Sequence, residues 1–177
     1  WSAAGGVLRF DPPGEGAGPR ADIVTKDEYG DFELALEWAV GPAGNSGIFF
    51  RVSDDAQRTY ETGAEYQILD NAGHRDGQRA VTSAGSNYAL HAPVEDVTRP
   101  LGEWNEARIR VEGQRVEHWL NGTKLLEYEL WTDEWKAMVA ASKFAAMPRY
   151  GLNRKGHIAL QDHGDPVRFR NLKIRPL

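Results

Sequence analysis

Three short segments carry side chains able to do chemistry from a rigid frame. In Asn45-Ser46-Gly47-Ile48-Phe49-Phe50-Arg51, alternation puts Gly47, Phe49 and Arg51 on one side. In Glu65-Tyr66-Gln67-Ile68-Leu69-Asp70, Glu65 and Gln67 share a side opposite Tyr66 and Ile68. In His157-Ile158-Ala159-Leu160-Gln161-Asp162-His163, Gln161 and His163 share a side with Ala159, opposite Ile158 and Leu160. If each apolar set faces a core, a second surface carries Arg51, Glu65, Gln67, Gln161 and His163 together. Planar amides, a cation, a carboxylate and an imidazole form a set suited to sugar hydroxyls and to proton transfer. The competing reading is an ordinary solvated sheet face, against which the two glutamines on strands speak.

Other candidates are weaker. Asp70 and His74 flank Asn71-Ala72-Gly73, and a divalent cation with oxygen ligands is a candidate cofactor there. Their spacing fits no standard metal motif, and Asp-Asn-x-Gly is a common turn. His118 falls on an apolar face beside Ile109 and reads as a core histidine. His91 and His157 sit at strand edges without partners in the pattern. There is no nucleophile elbow, phosphate loop or zinc-helix motif.

Those segments need strands to hold them, and the rest of the chain supplies the pattern. Apolar residues alternate cleanly over 32–38, and 46–52 and 64–69 read as the next strands, with Gly, Asn, Asp and Pro between the runs. Segments 105–111 and 115–120 flank Gly113-Gln114, read as a type II′ turn. That register sets Val111 against Val116 and Ile109 against His118, and Arg110 against Glu117 and Glu112 against Arg115. Asn121-Gly122 reads as a type I′ turn into 124–130. Segment 131–144 is the one helical stretch, with Thr132 or Asp133 as cap. A loop at 11–19 follows an N-terminal hairpin. Strands 157–161 and 167–174 are expected to close the domain as a hairpin-like pair, with a bulge near Asn171. The whole predicts an all-β sandwich of two antiparallel sheets with one short helix, in one domain over 1–177.

Composition narrows the partners. Of 177 residues, 21 are Lys or Arg and 26 Asp or Glu, a net charge of −5 spread along the chain. A nucleic-acid surface needs clustered cations, so none is expected. No apolar run approaches the ~20 residues of a membrane helix. With no cysteine, thiolate metal sites and disulfides are excluded.

The same segments resemble a known family. Asn45-Ser46-Gly47-Ile48 with Arg51, and Glu65-Tyr66-Gln67-Ile68-Leu69-Asp70, look like the central motifs of the 3-keto-disaccharide hydrolase domain family. Gly102-Glu103-Trp104-Asn105, Trp119-Leu120-Asn121-Gly122, the run from Gly156 to Gly164 and Phe169-Arg170-Asn171 continue the likeness in order. The resemblance implies a concanavalin-like jelly roll, common in glycan-degrading bacteria and often exported, so a periplasmic or secreted location is expected. It also implies a carbohydrate partner, a glycoside already oxidised to a ketone at sugar carbon 3.

A C3 ketone acidifies the C2 hydrogen, so the aglycone at C1 can leave by elimination and water can add back. That chemistry needs a general base, a group that polarises the ketone and an acid for the leaving oxygen. His163 and Glu65 are the expected catalytic residues. Arg51, Gln67, Gln161, Asn45, Asp70 and Lys143 are expected to hold substrate, with Arg51, Lys143 or a bound cation stabilising the enolate. The alternatives are a non-catalytic carbohydrate-binding module, expected to show an open aromatic platform, and an adhesive domain of a larger protein.

Overall fold

A computed structural model describes residues 1–12 and 21–177. The expected loop at 11–19 therefore lies largely outside the described residues. The strands are β1 (Ser2–Ala4), β2 (Val7–Phe10), β3 (Ile23–Val24), β4 (Phe32–Val40), β5 (Asn45–Val52), β6 (Ala64–Leu69), β7 (Asn105–Glu112), β8 (Arg115–Leu120), β9 (Thr123–Glu129), β10 (His157–Leu160) and β11 (Val167–Pro176). They form two antiparallel sheets, ordered β1-β2-β11-β4-β7-β8-β9 and β3-β10-β5-β6. This is the expected concanavalin-like jelly roll.

The core lies between the sheets. Phe32, Leu34, Leu36 and Trp38 of β4 are buried and meet Ile48, Phe50, Tyr66 and Ile68 from the small sheet. On the other side of β4, Glu33 pairs with Arg108, Arg110 and Arg175, so the alternation reads through to the solvent face. The β7–β8 hairpin takes the register that its charges dictate, with Arg110 opposite Glu117 and Ile109 opposite His118. Gly113 alone has positive φ in its turn, whereas Asn121 and Gly122 both do, which separates the type II′ from the type I′ geometry. Asn171 stands at φ 54° where β11 slips register against β4, the expected bulge. His118 is fully buried, its Nδ1 on the Gly85 carbonyl, and burial pushes its pKa down to about 3.

One pairing differs from expectation. Strands β10 and β11 do not form a hairpin: β10 pairs with β3 and β5, and β11 with β2 and β4. Ile158 and Leu160 enter the core from one sheet, Val167 and Phe169 from the other. The residues between them span the gap of ~10 Å between sheets rather than turn within one.

Two irregular segments complete the frame. Residues 70–91 run along the free edge of β6, where Gln67 N–H donates to the Ser86 carbonyl and Tyr88 N–H to the Glu65 carbonyl. They cover backbone that would otherwise be an open strand edge. The helix α1 (Asp133–Ala140) is shorter than the 131–144 reading. It starts at Thr132, whose Oγ1 accepts from Trp135 N–H. It gives way to a 3-10 turn at Lys143–Ala146, capped by the Ser142 hydroxyl accepting from Phe144 N–H.

Candidate functional site

The outer face of the small sheet carries a cavity of about 280 Å³. Its floor comes from strands. In the β5–β6 ladder Gly47 lies opposite Gln67 and Phe49 opposite Glu65, so these residues share the face turned away from the core. Asn45 keeps the same parity. Gln161, just past β10, joins them because its N–H donates to the Gly47 carbonyl and its own carbonyl accepts from the Ser46 hydroxyl. Asn45, Glu65, Gln67 and Gln161 all line the cavity. Tyr60, Tyr88, Lys143, Phe144, Met147 and His163 complete it. Asn45, Glu65 and Gln67 are buried and Gln161 is half-buried, while Tyr60, Lys143 and His163 stand exposed at the rim.

Glu65 is the pivotal group. Its side is 7% exposed, and none of the hydrogen bonds among the described residues ends on its carboxyl. Desolvation raises its pKa to about 8; Asp22 and Asp76 add to the rise and Lys143 opposes it. At neutral pH it is mainly a neutral acid held within reach of its ionised form. Gly47 makes room for it, since a Cβ there would stand 2.3 Å from Glu65 Oε1. The glycine is therefore a requirement of the carboxyl's seat and not of the backbone's conformation.

The amides differ in how free they are. Gln67 is engaged: its Oε1 accepts from Ile68 N–H and its Nε2 lies 3.5 Å from the Thr82 carbonyl. Gln161 Oε1 is buried without a hydrogen-bond partner, so it is an acceptor available to a ligand hydroxyl. At the rim, Lys143 Nζ lies 4.1 Å from the centre of the Tyr88 ring, and desolvation lowers its pKa against the opposing pull of Glu65 and Asp76. His163 places Nδ1 3.3 Å from an Asp165 carboxylate oxygen, which orients the imidazole and leaves Nε2 uncommitted.

Six of the eight expected residues thus come together: His163, Glu65, Gln67, Gln161, Asn45 and Lys143. Arg51 does not. Between the Phe49–Ala159 and Val52–His157 pairs, Phe50 and Arg51 stand against the single residue Ile158, and Arg51 takes φ 55°. This two-for-one bulge breaks the alternation and turns Arg51 away from the outer face. Its side chain is buried, donating to the Gly30 and Gly113 carbonyls and to Asp31 at 3.0–3.2 Å, and ties the small sheet to the β7–β8 turn. Asp70 is also elsewhere. Its carboxylate accepts from Ala43 and Gly73 N–H and closes a turn. His74 Nδ1 is likewise taken, by Asp76 N–H, so Asp70 and His74 do not assemble a cation site. Among the described residues no group of three or more His, Asp or Glu side chains is placed to hold a metal ion. The rings of Tyr60, Tyr88 and Phe144 and the side chain of Met147 were absent from the sequence reading, because they arrive from loops and two 3-10 turns that no periodicity marks.

A jelly roll with a buried acid among amides on one sheet face suits a carbohydrate-active domain, and its relatives are of the hydrolase kind. A candidate glycosyl hydrolase from Parabacteroides distasonis superposes with a TM-score of 0.88 at 34% identity, over 100% of this chain and 83% of that one. A Bacteroides thetaiotaomicron protein named 3-keto-disaccharide hydrolase is 34% identical over 203 residues, spanning 100% of this chain and 70% of the relative. A carbohydrate-binding module from Bacillus subtilis shares the fold alone, at 11% identity and a TM-score of 0.55, over 96% of this chain and 95% of the module. Residues 1–175 match the family described as the 3-keto-alpha-glucoside-1,2-lyase-like domain, and the chain belongs to that family.

Proposed function

We propose that the cavity on the small sheet cleaves glycosides whose sugar carries a ketone at carbon 3, by elimination followed by hydration. The observation that carries this reading is Glu65, an acid with its pKa pushed up to about 8 on the floor of the cavity. A carboxylate of that basicity, partly ionised near neutral pH, suits removal of a hydrogen made acidic by a neighbouring ketone.

In this reading Glu65 takes the proton from C2, and the electron pair moves to the C3 oxygen as an enolate. Lys143 supplies the positive charge beside that oxygen. The enolate then collapses, a C1–C2 double bond forms, and the C1–O bond to the aglycone breaks. His163 protonates the departing oxygen, and water adding across the double bond returns a free 3-keto sugar. Gln161 and Asn45 bind hydroxyls around the ring. The carboxylate pair of ordinary glycosidases is not needed. The reading extends to a periplasmic or secreted site of action, which fractionation of cells expressing the full-length protein would test.

A binding module is the less favoured reading because the rings are not laid out as an open platform. Phe144 is buried in a stack with Tyr150, and Lys143 occupies the face of Tyr88. The deciding experiment is incubation with 3-keto-trehalose or a 3-keto-glucoside, with and without chelator, alongside the unoxidised glycoside. Release of sugar from the keto compound alone supports the proposal. Saturable binding of both compounds without turnover would replace it with the binding module.

A further inference from the structure

The structure assigns to Tyr88 the role of a positioning residue, whose ring seats the Lys143 ammonium beside Glu65. This rests on the reading of Glu65 and Lys143 given above and adds to it a residue that touches neither the ketone nor the C2 hydrogen. Lysine side chains at a rim are mobile, because a long flexible stem carries the charge. Among the described residues Lys143 forms no ion pair; Glu65 and Asp76 act on it through charge alone, so no salt bridge fixes it. What it has instead is the Tyr88 ring at 4.1 Å and the Phe144 ring at 5.2 Å.

Tyr88 is itself held from two sides. Its N–H donates to the carbonyl of Glu65 at 3.0 Å, so the two residues are neighbours across the covered edge of β6. Its hydroxyl donates to Asp76 Oδ2 at 3.0 Å. Asp76 is fixed in turn, its N–H on His74 Nδ1 and its carbonyl accepting from the Thr82 hydroxyl. The edge segment thus aims one aromatic face at the place where a cation opposes the charge of Glu65. The charged and titratable groups that face Glu65 are Lys143, which favours its carboxylate, Asp22 and Asp76, which disfavour it, the phenols of Tyr88 and Tyr150, and Tyr60 and His163 across the cavity. Those that act on Lys143 are Glu65 and Asp76.

If the ring is lost, Lys143 samples more of the solvent and its help to the Glu65 carboxylate weakens. Glu65 then ionises at higher pH. A cation–π contact of the exposed kind corresponds to about half a pH unit. The test compares the parent with Tyr88→Phe, which keeps the ring and loses the phenol, and Tyr88→Leu, which loses both. Two readouts are needed: the pH profile with kcat and KM on a 3-keto-glucoside, and the titration of the Glu65 carboxyl carbon by NMR without substrate. Tyr88→Leu is expected to raise the Glu65 midpoint by about half a unit and to lower kcat by roughly tenfold with little change in KM. Tyr88→Phe is expected to stay close to the parent. Equal losses in both variants would make the phenol–Asp76 anchor the relevant feature and overturn the inference, as would an unmoved Glu65 midpoint in Tyr88→Leu. The NMR titration decides this even if no keto-glycoside is turned over, a result that would count against the proposed function alone.

Discussion

Arg51 and Glu65 are two buried ionisable residues on adjacent strands of one small sheet, and the protein treats them in opposite ways. Arg51 is turned inward by a bulge and meets two backbone carbonyls and the Asp31 carboxylate. The framework answers its Nε and Nη2 donors, while Nη1 is buried without a hydrogen-bond partner, and its burial joins the two sheets. Glu65 is turned outward, lies over Gly47, and has a cavity before it where a partner would be. Its burial is answered by a shift of protonation instead. Burial alone does not separate a structural charge from a chemical one. The separation comes from whether the protein supplies the hydrogen bonds or leaves them to a ligand.

The sharpest way to break this contrast is to neutralise each residue. Glu65→Gln keeps the shape and removes the proton transfer, and is expected to lower kcat on a 3-keto-glucoside by about 10³-fold while leaving the fold intact. Arg51→Ala is expected to do the reverse. It leaves the Gly30 and Gly113 carbonyls without their side-chain donor and Asp31 with the Gly113 N–H alone, and should cost about 3 kcal/mol in urea unfolding, with kcat per folded molecule near that of the parent. A folded Glu65→Gln enzyme with parental kcat would remove Glu65 from the chemistry. An Arg51→Ala protein of parental stability would remove Arg51 from the framework.

Why one of these residues was legible in the sequence and the other was not follows from the same geometry. Alternation over 64–68 put Glu65 and Gln67 opposite Tyr66 and Ile68, and the structure keeps that parity. The β7–β8 register was fixed twice over, by Val111 with Val116 and by Arg110 with Glu117. Arg51 followed the same rule until the extra residue before Val52 reversed it, and no local residue type announces that bulge. Asp70 looked free because its backbone donors, Ala43 and Gly73, come from a neighbouring loop and its own turn. Tyr88 reaches Glu65 by edge pairing from 23 positions later in the chain, a contact with no periodic signature.

Two smaller perturbations sharpen the account on the outer face. His163→Ala is expected to lower kcat by roughly 10²-fold, least for substrates whose leaving group needs no proton. An equal loss with good and poor leaving groups would contradict the acid role. Gly47→Ala pushes a methyl into the seat of Glu65 Oε1, and should lower kcat about tenfold and cost about 1 kcal/mol of stability. Combined with Glu65→Gln, it should add little to the loss of activity, because both act through one carboxyl.

The most direct test of an uncompensated acid is the pH dependence of stability in the parent set against Glu65→Gln. The folded-state pKa is raised to about 8, above that of the unfolded chain. Between the two values the unfolded state releases a proton that the folded state retains. Stability from this group is therefore full at pH below the ordinary carboxylate range and is lost as pH rises toward 8. The parent should weaken relative to the variant across that window by up to about 1.4 kcal/mol per pH unit, and the difference should level off above it. A difference in unfolding free energy that does not change with pH would contradict the central claim that Glu65 is buried without an answer from the protein.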